Sequence, residues 1–131
     1  MPEKQTLERA RKAKRQGKAP STQAGEFVRE EIDHIREGKH GARSTKQAIA
    51  IGLSKARRAG VKLKPPRSRV SARTRKSAEA AYRAGQSGSH SKPSRKRSLA
   101  ATRALKREPR GAASKQALSR QARAAARRRS S

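Results

Sequence analysis

Apolar positions along the chain gather in two places. In residues 21–38, STQAGEFVREEIDHIREG, Val28, Ile32 and Ile35 recur at i, i+4 and i+7, the spacing of one helical face. Ala24 and Gly25 extend that face, and Phe27 lies on its flank. Glu30, Asp33 and Glu37 fall opposite and predict a solvated side. Ser21 and Thr22 are candidate N-caps, and Gly38 is a natural residue to follow the last turn. In residues 44–60, STKQAIAIGLSKARRAG, Ile49, Leu53 and Ala56 repeat the spacing. Ser44 and Gln47 have the separation of a capping box, and Gly60 supplies the stop. Ala48, Gly52 and Ala59 widen this face with small groups that let another helix approach closely. Ile51 falls off the stripe, on the side of Arg58. The connecting GKHGARS is short and bounded by glycine, so the two amphipathic segments predict an αα-hairpin. Val61 and Leu63 close its end, and Pro65 and Pro66 terminate the module at about residue 64.

Beyond Pro66 the pattern thins. Helix-compatible pieces run from Ser71 to Gly85, through SRKRSLAATRALKRE to the break at Pro109, and from Ser114 onward. GQSGSHSKPS, residues 85–94, has the composition of a flexible linker. The last piece echoes the second hairpin helix. Lys115, Gln116 and Ala117 match Lys46, Gln47 and Ala48, and Leu118, Ala122, Ala125 and Arg127 then match Ile49, Leu53, Ala56 and Arg58 with cap, stripe and one cation in phase. The expected fold is all-α, with a helical hairpin at 21–64, a basic N-terminal arm at 1–20 and a basic C-terminal region at 65–131 that is of low order or becomes helical on binding.

Composition changes what such helices can do. Leu, Ile, Val and Phe together number 14 of 131 residues, below the roughly one-fifth that a self-sufficient core requires at high net charge. The 21–64 module is therefore expected to be marginal alone, and to dimerise or to complete its folding on a ligand. Lys and Arg number 37 against 9 acids, for a net charge of +28. The sign is not uniform: residues 21–38 carry a net −3, whereas residues 39–66 carry +8 and residues 67–131 carry +18. A surface this positive attracts polyanions, and nucleic acid is the polyanion that chemistry favours.

Catalytic constellations are absent from the pattern. There is no cysteine, hence no disulfide framework and no thiolate zinc site. His34, His40 and His90 stand singly along the sequence. Glu30, His34 and Glu37 share a helix side, but they read as a polar surface, and neither a metal nor a cofactor is expected. GKHGARS lacks the Walker A spacing. No apolar run is long enough to span a bilayer, and MPEKQTLERARKAKRQGK lacks the apolar core of a secretory signal. The expected location is the cytoplasm, at the nucleoid. No enzyme is expected.

The cations carry the functional expectation. On the second hairpin helix, Arg58 lies opposite the seam, with Lys46, Lys55 and Arg57 at the sides. The expected phosphate contacts are Lys39, Arg43, Lys46, Lys55, Arg57, Arg58, Lys62 and Lys64 in the module. In the C-terminal region they are Lys92, Arg95, Lys96, Arg97, Arg103, Lys106, Arg107, Lys115, Arg120, Arg123, Arg127, Arg128 and Arg129. A single Phe and a single Tyr leave no stacking platform for single strands. The interhelical connection is too long, and the core too small, for a helix-turn-helix reader of bases. Duplex DNA bound through its phosphates is the expected partner. RNA or the ribosome is the first alternative, and a protein-interaction module localised by basic tails, with homodimerisation through 21–64, is the second.

The stretch STQAGEFVREEIDHIREGKHGARSTKQAIAIGLSKARRAGVKL and the ending SRKRSLAATRALKREPRGAASKQALSRQARAAARRR resemble a family of small, highly basic bacterial proteins carrying a domain of unknown function. The resemblance implies a bacterial source and a small helical protein, and it assigns no chemistry to any residue. The Lys/Arg/Ala/Ser/Pro texture after residue 66 is similar to linker-histone tails and histone-like nucleoid proteins, with arginine, at 15 against 5 lysines, in place of their dominant lysine.

Overall fold

The computed structural model describes residues 3–67, 70–87 and 95–130. Among them are six α-helices and no strand: α1 Lys4–Arg15, α2 Pro20–Arg36, α3 Thr45–Arg58, α4 Ala72–Ser87, α5 Arg95–Arg107 and α6 Lys115–Ser130, with a 3-10 turn at Gly111–Ala113 between the last two. The all-α expectation holds.

The ends of these helices follow from local chemistry. α2 starts one residue before its candidate caps: Pro20 occupies the first helical position, where its fixed φ suits a helix and its missing N–H costs nothing. The Ala19 carbonyl accepts from the amides of Thr22 and Gln23, so Ser21 and Thr22 lie inside the first turn. α3 is capped as its sequence predicts, the Ser44 hydroxyl accepting from the Gln47 amide at 3.1 Å. The Gln47 side chain returns to the amide of Arg43, one residue before the expected partner. Ser71 and Ser114 cap α4 and α6 in the same way, accepting from the amides of Thr74 and Ala117. The Ser114 cap sits one residue out of step with Ser44 in the alignment of the echo, so the two helices share their stripe but not the register of their caps. α1, α2 and α3 all end in one turn type. Gly17, Gly38 and Gly60 take φ of 73°, 79° and 101°, and the two amides at each turn reach back to the last carbonyls, as in Gly60 to Arg57 and Val61 to Ala56. This is the Schellman arrangement, in which a left-handed residue satisfies carbonyls that the helix leaves open.

The chain divides into two compact units, one formed by residues 1–30 and 51–92 and the other by residues 31–50 and 93–131. In the first, Phe27 is 1 % exposed and packs with Ala10, Ala24, Ala56 and Val61, with Leu7, Leu53 and Leu63 partly buried around them. Residues 4–15, expected only as a basic arm, bury Thr6, Ala10 and Ala13, an i, i+4, i+7 seam of small groups. Gly52 lies so close to Val28 that a Cβ there would stand 2.6 Å from the Val28 Cα. The small-residue face of α3 thus allows the close approach that its sequence predicts. Glu30, expected on a solvated face, is 4 % exposed and accepts from the Glu3 amide at 2.6 Å.

In the second unit, Ile35, Ala42 and Ala48 are fully buried, and Ile32 and Ala112 nearly so. Glu31 is also fully buried, although it sits in the segment of greatest negative charge. The last turn of α5 and the segment after it pack on the segment between α2 and α3 through backbone pairing, Gly41 N–H to the Leu105 carbonyl at 2.8 Å and Ala42 N–H to the Pro109 carbonyl at 2.9 Å.

Candidate nucleic-acid interface

The expected phosphate contacts separate into three groups. Lys39, Arg43, Lys46, Arg58, Lys62 and Lys64 are exposed, as are Lys96, Arg97, Arg103, Lys106, Arg107, Lys115, Arg120, Arg123, Arg127 and Arg128. Lys55 is half-buried. Arg57 departs from the outward course expected of it. It is 7 % exposed, and its guanidinium donates to the carbonyls of Leu63 at 3.1 Å and Lys64 at 3.4 Å. Burial removes water from the cation and pushes its pKa below the ordinary arginine value. Arg57 thereby ties the strand of chain after Gly60 back to α3, a structural task within the first unit. Lys92 lies outside the described residues, as do the side chains of Arg95 and Arg129.

Helical geometry orders the exposed set. Arg120, Arg123 and Arg127 follow at i, i+3 and i+7 on α6, one face of the helix, while Ala117, Leu118, Gln121, Ala124 and Ala125 are the half-buried positions of the other side. On α5, Lys96, Arg103, Lys106 and Arg107 fall on one side and half-buried Leu105 on the opposite one. α5 and α6 together hold 12 Lys or Arg over 29 residues, with no acid. Phe27 is sealed in the core and offers no face for base stacking, while Tyr82 is half-buried.

Two sets of basic side chains lay outside the sequence expectations. Lys4, Arg11 and Arg15 recur at i, i+7 and i+11 on α1, opposite its buried seam, and are exposed. The signal was present as the spacing of Thr6, Ala10 and Ala13, too low in hydropathy to read as a stripe. The second is Arg110. Its Nε donates to the Ile35 carbonyl at 3.1 Å and its Nη2 to the Arg36 carbonyl. Arg36 in turn donates from Nε to the Ala113 carbonyl at 3.1 Å, and the Thr45 hydroxyl donates to the Ala112 carbonyl. A cation at a helix C-terminus meets the negative end of the helix dipole and satisfies open carbonyls. No periodicity marks residue 110, because its partners lie more than 70 positions away. Around this clasp, Lys39, His40, Lys106, Glu108 and Arg110 line a cleft of about 800 Å³, three of the five being Lys or Arg.

Residues 4–69 match a family of unknown function, DUF6496, and the chain belongs to that family. No curated protein matches it, and no solved structure matches it. Among the described residues, no helix is long and apolar enough to cross a membrane.

Proposed function

We propose that the protein binds duplex DNA through its phosphates, without catalysis and largely without regard to sequence, as a nucleoid-associated protein of histone-like character. The observation that carries the reading is the pair α5 and α6, whose 29 residues hold 12 cations and no acid, every described one of them exposed. A face that charges itself this heavily repels its own kind and is stabilised when a polyanion releases counterions onto it. The exposed cations of α1 and of residues 39–64 extend the same surface chemistry. The helices of 21–64 serve on this reading as a hairpin carrier for the basic arms, in the compartment where the chain is made. Buried Phe27 argues against a stacking reader of single strands.

Binding of the full chain to a fluorescent duplex, followed by anisotropy against salt, tests the reading. A log–log slope on the order of −10 is expected if about ten phosphates are engaged. The triple variant Arg120→Gln, Arg123→Gln, Arg127→Gln is expected to make the slope shallower by about 3 and to weaken all duplex sequences alike. A flat salt response overturns the mechanism, and preference for a structured RNA competitor at one salt concentration moves the partner to RNA.

A further inference from the structure

The buried acid of α2 has a second partner set. Glu31 and His34 stand at i and i+3, so they share a side of the helix. The Schellman turn at Gly38 then reverses the chain and brings His40 back to that side. The donor atoms of the three residues lie within 4.8 Å of one another, with Glu31 fully buried and both histidines half-buried. The two imidazoles meet edge to face at 6.1 Å between centroids.

We propose that Glu31, His34 and His40 form a zinc-binding site. The tautomer of His40 carries the argument. Its Nδ1 lies 2.9 Å from the Gly41 carbonyl, which can only accept, so Nδ1 holds the proton. In neutral imidazole Nε2 then bears a lone pair, and that atom sits 3.3 Å from Glu31 Oε2. Two lone-pair atoms this close repel unless positive charge lies between or beside them, from a neighbouring donor, a second ring proton or a metal, and of these a metal ion is the one that also takes in a ring nitrogen of His34, within 4.8 Å of both. Zinc bonds of about 2.0–2.1 Å in a tetrahedron place neighbouring donors about 3.3–3.4 Å apart, which the observed pair already satisfies. A backbone carbonyl on the far nitrogen is also the support that holds a metal-ligating histidine in orientation. Two imidazoles and one carboxylate suit zinc and leave a fourth position to water.

The surroundings permit the ion despite the charge of the whole chain. Residues 21–38 carry a net −3, and the Lys39 ammonium is held by the Glu37 carboxylate at 3.3 Å. The Arg110 guanidinium is turned onto the carbonyls of Ile35 and Arg36. His40 also borders the cleft of about 800 Å³, which gives the ion an approach from solvent. Bound there, zinc would pin the loop that carries Lys39 and Arg43 to the last turns of α2. The site stands whether or not the protein binds DNA.

Zinc chloride titrated into the untagged full chain near neutral pH, by calorimetry and by nitrogen-15 spectra of the histidine rings, tests it. One equivalent of zinc is expected, with the ring signals of His34 and His40 shifting and those of His90 unmoved. Glu31→Gln and His40→Asn are each expected to weaken binding at least tenfold, and His90→Asn to leave it unchanged. Absence of zinc-dependent heat or shift up to about 100 µM metal, undiminished binding by both ligand variants, or a His40 ring protonated on both nitrogens and unresponsive to zinc overturns the proposal. The ring spectra need no variant, so they decide the matter even where Glu31→Gln fails to fold.

Discussion

In the unit containing α1 and α4, Phe27 is surrounded by alanines, one valine and three partly buried leucines, and the buried polar groups Glu30 and Arg57 each bond to backbone of that unit. In the unit containing α5 and α6, Ile32 and Ile35 are accompanied by a buried carboxylate, and the turn after α5 is held by Arg110, Arg36 and Thr45 through backbone carbonyls. The contrast shows how a chain poor in large apolar side chains uses both available means. Burial of carbon serves where the sequence provides an aromatic ring, and donors aimed at open helix ends serve where it provides mostly alanine and arginine. The second device needs an arginine more than a cation as such, because the planar guanidinium holds Nε and Nη2 in a fixed fork that meets two successive carbonyls, whereas a lysine ammonium is a compact charge without that preset geometry.

The largest effect is expected from the apolar side of this comparison. Phe27→Ala removes the one large buried ring of the first unit and should cost about 3–5 kcal/mol, seen as an early or vanished cooperative transition in a urea titration followed by circular dichroism. A loss under 1 kcal/mol would show that the alanines carry the unit without the ring. On the polar side, Arg110→Ala leaves the carbonyls of Ile35 and Arg36 without their donors and should cost about 1–3 kcal/mol. Faster amide exchange at Gly41 and Ala42 is the local signature, and Arg110→Lys should restore little of the protection. The smallest effect belongs to the surface. Arg9 and Glu26 pair at 3.2 Å with the arginine side chain 43 % exposed, so Arg9→Gln should change stability by about 0–1 kcal/mol, and that difference should vanish in high salt.

Much of the helical content is legible from spacing and caps alone. Ser44, Ser71 and Ser114 start α3, α4 and α6 where their sequences place them, and Gly38 and Gly60 end α2 and α3, because caps are satisfied by groups a few residues away. The small face of α3 at Gly52 is equally local information. The exposure of the arginines on α5 and α6 follows from their number, since a chain with so few apolar residues has little interior in which to place them.

Other features depended on the tertiary structure. Periodicity assigns Glu30 to a solvated face, yet it is buried beside the Glu3 amide, a partner 27 positions away. Arg57 reads as an outward cation until the chain beyond Gly60 returns over it. The grouping of Glu31, His34 and His40 is invisible to spacing, because the third residue lies past a left-handed glycine whose turn alone determines the side to which it returns. Local patterns therefore determined where helices begin, end and carry charge. Only the packed chain decided which charges are turned inward, since burial of a polar group depends on partners supplied from distant residues.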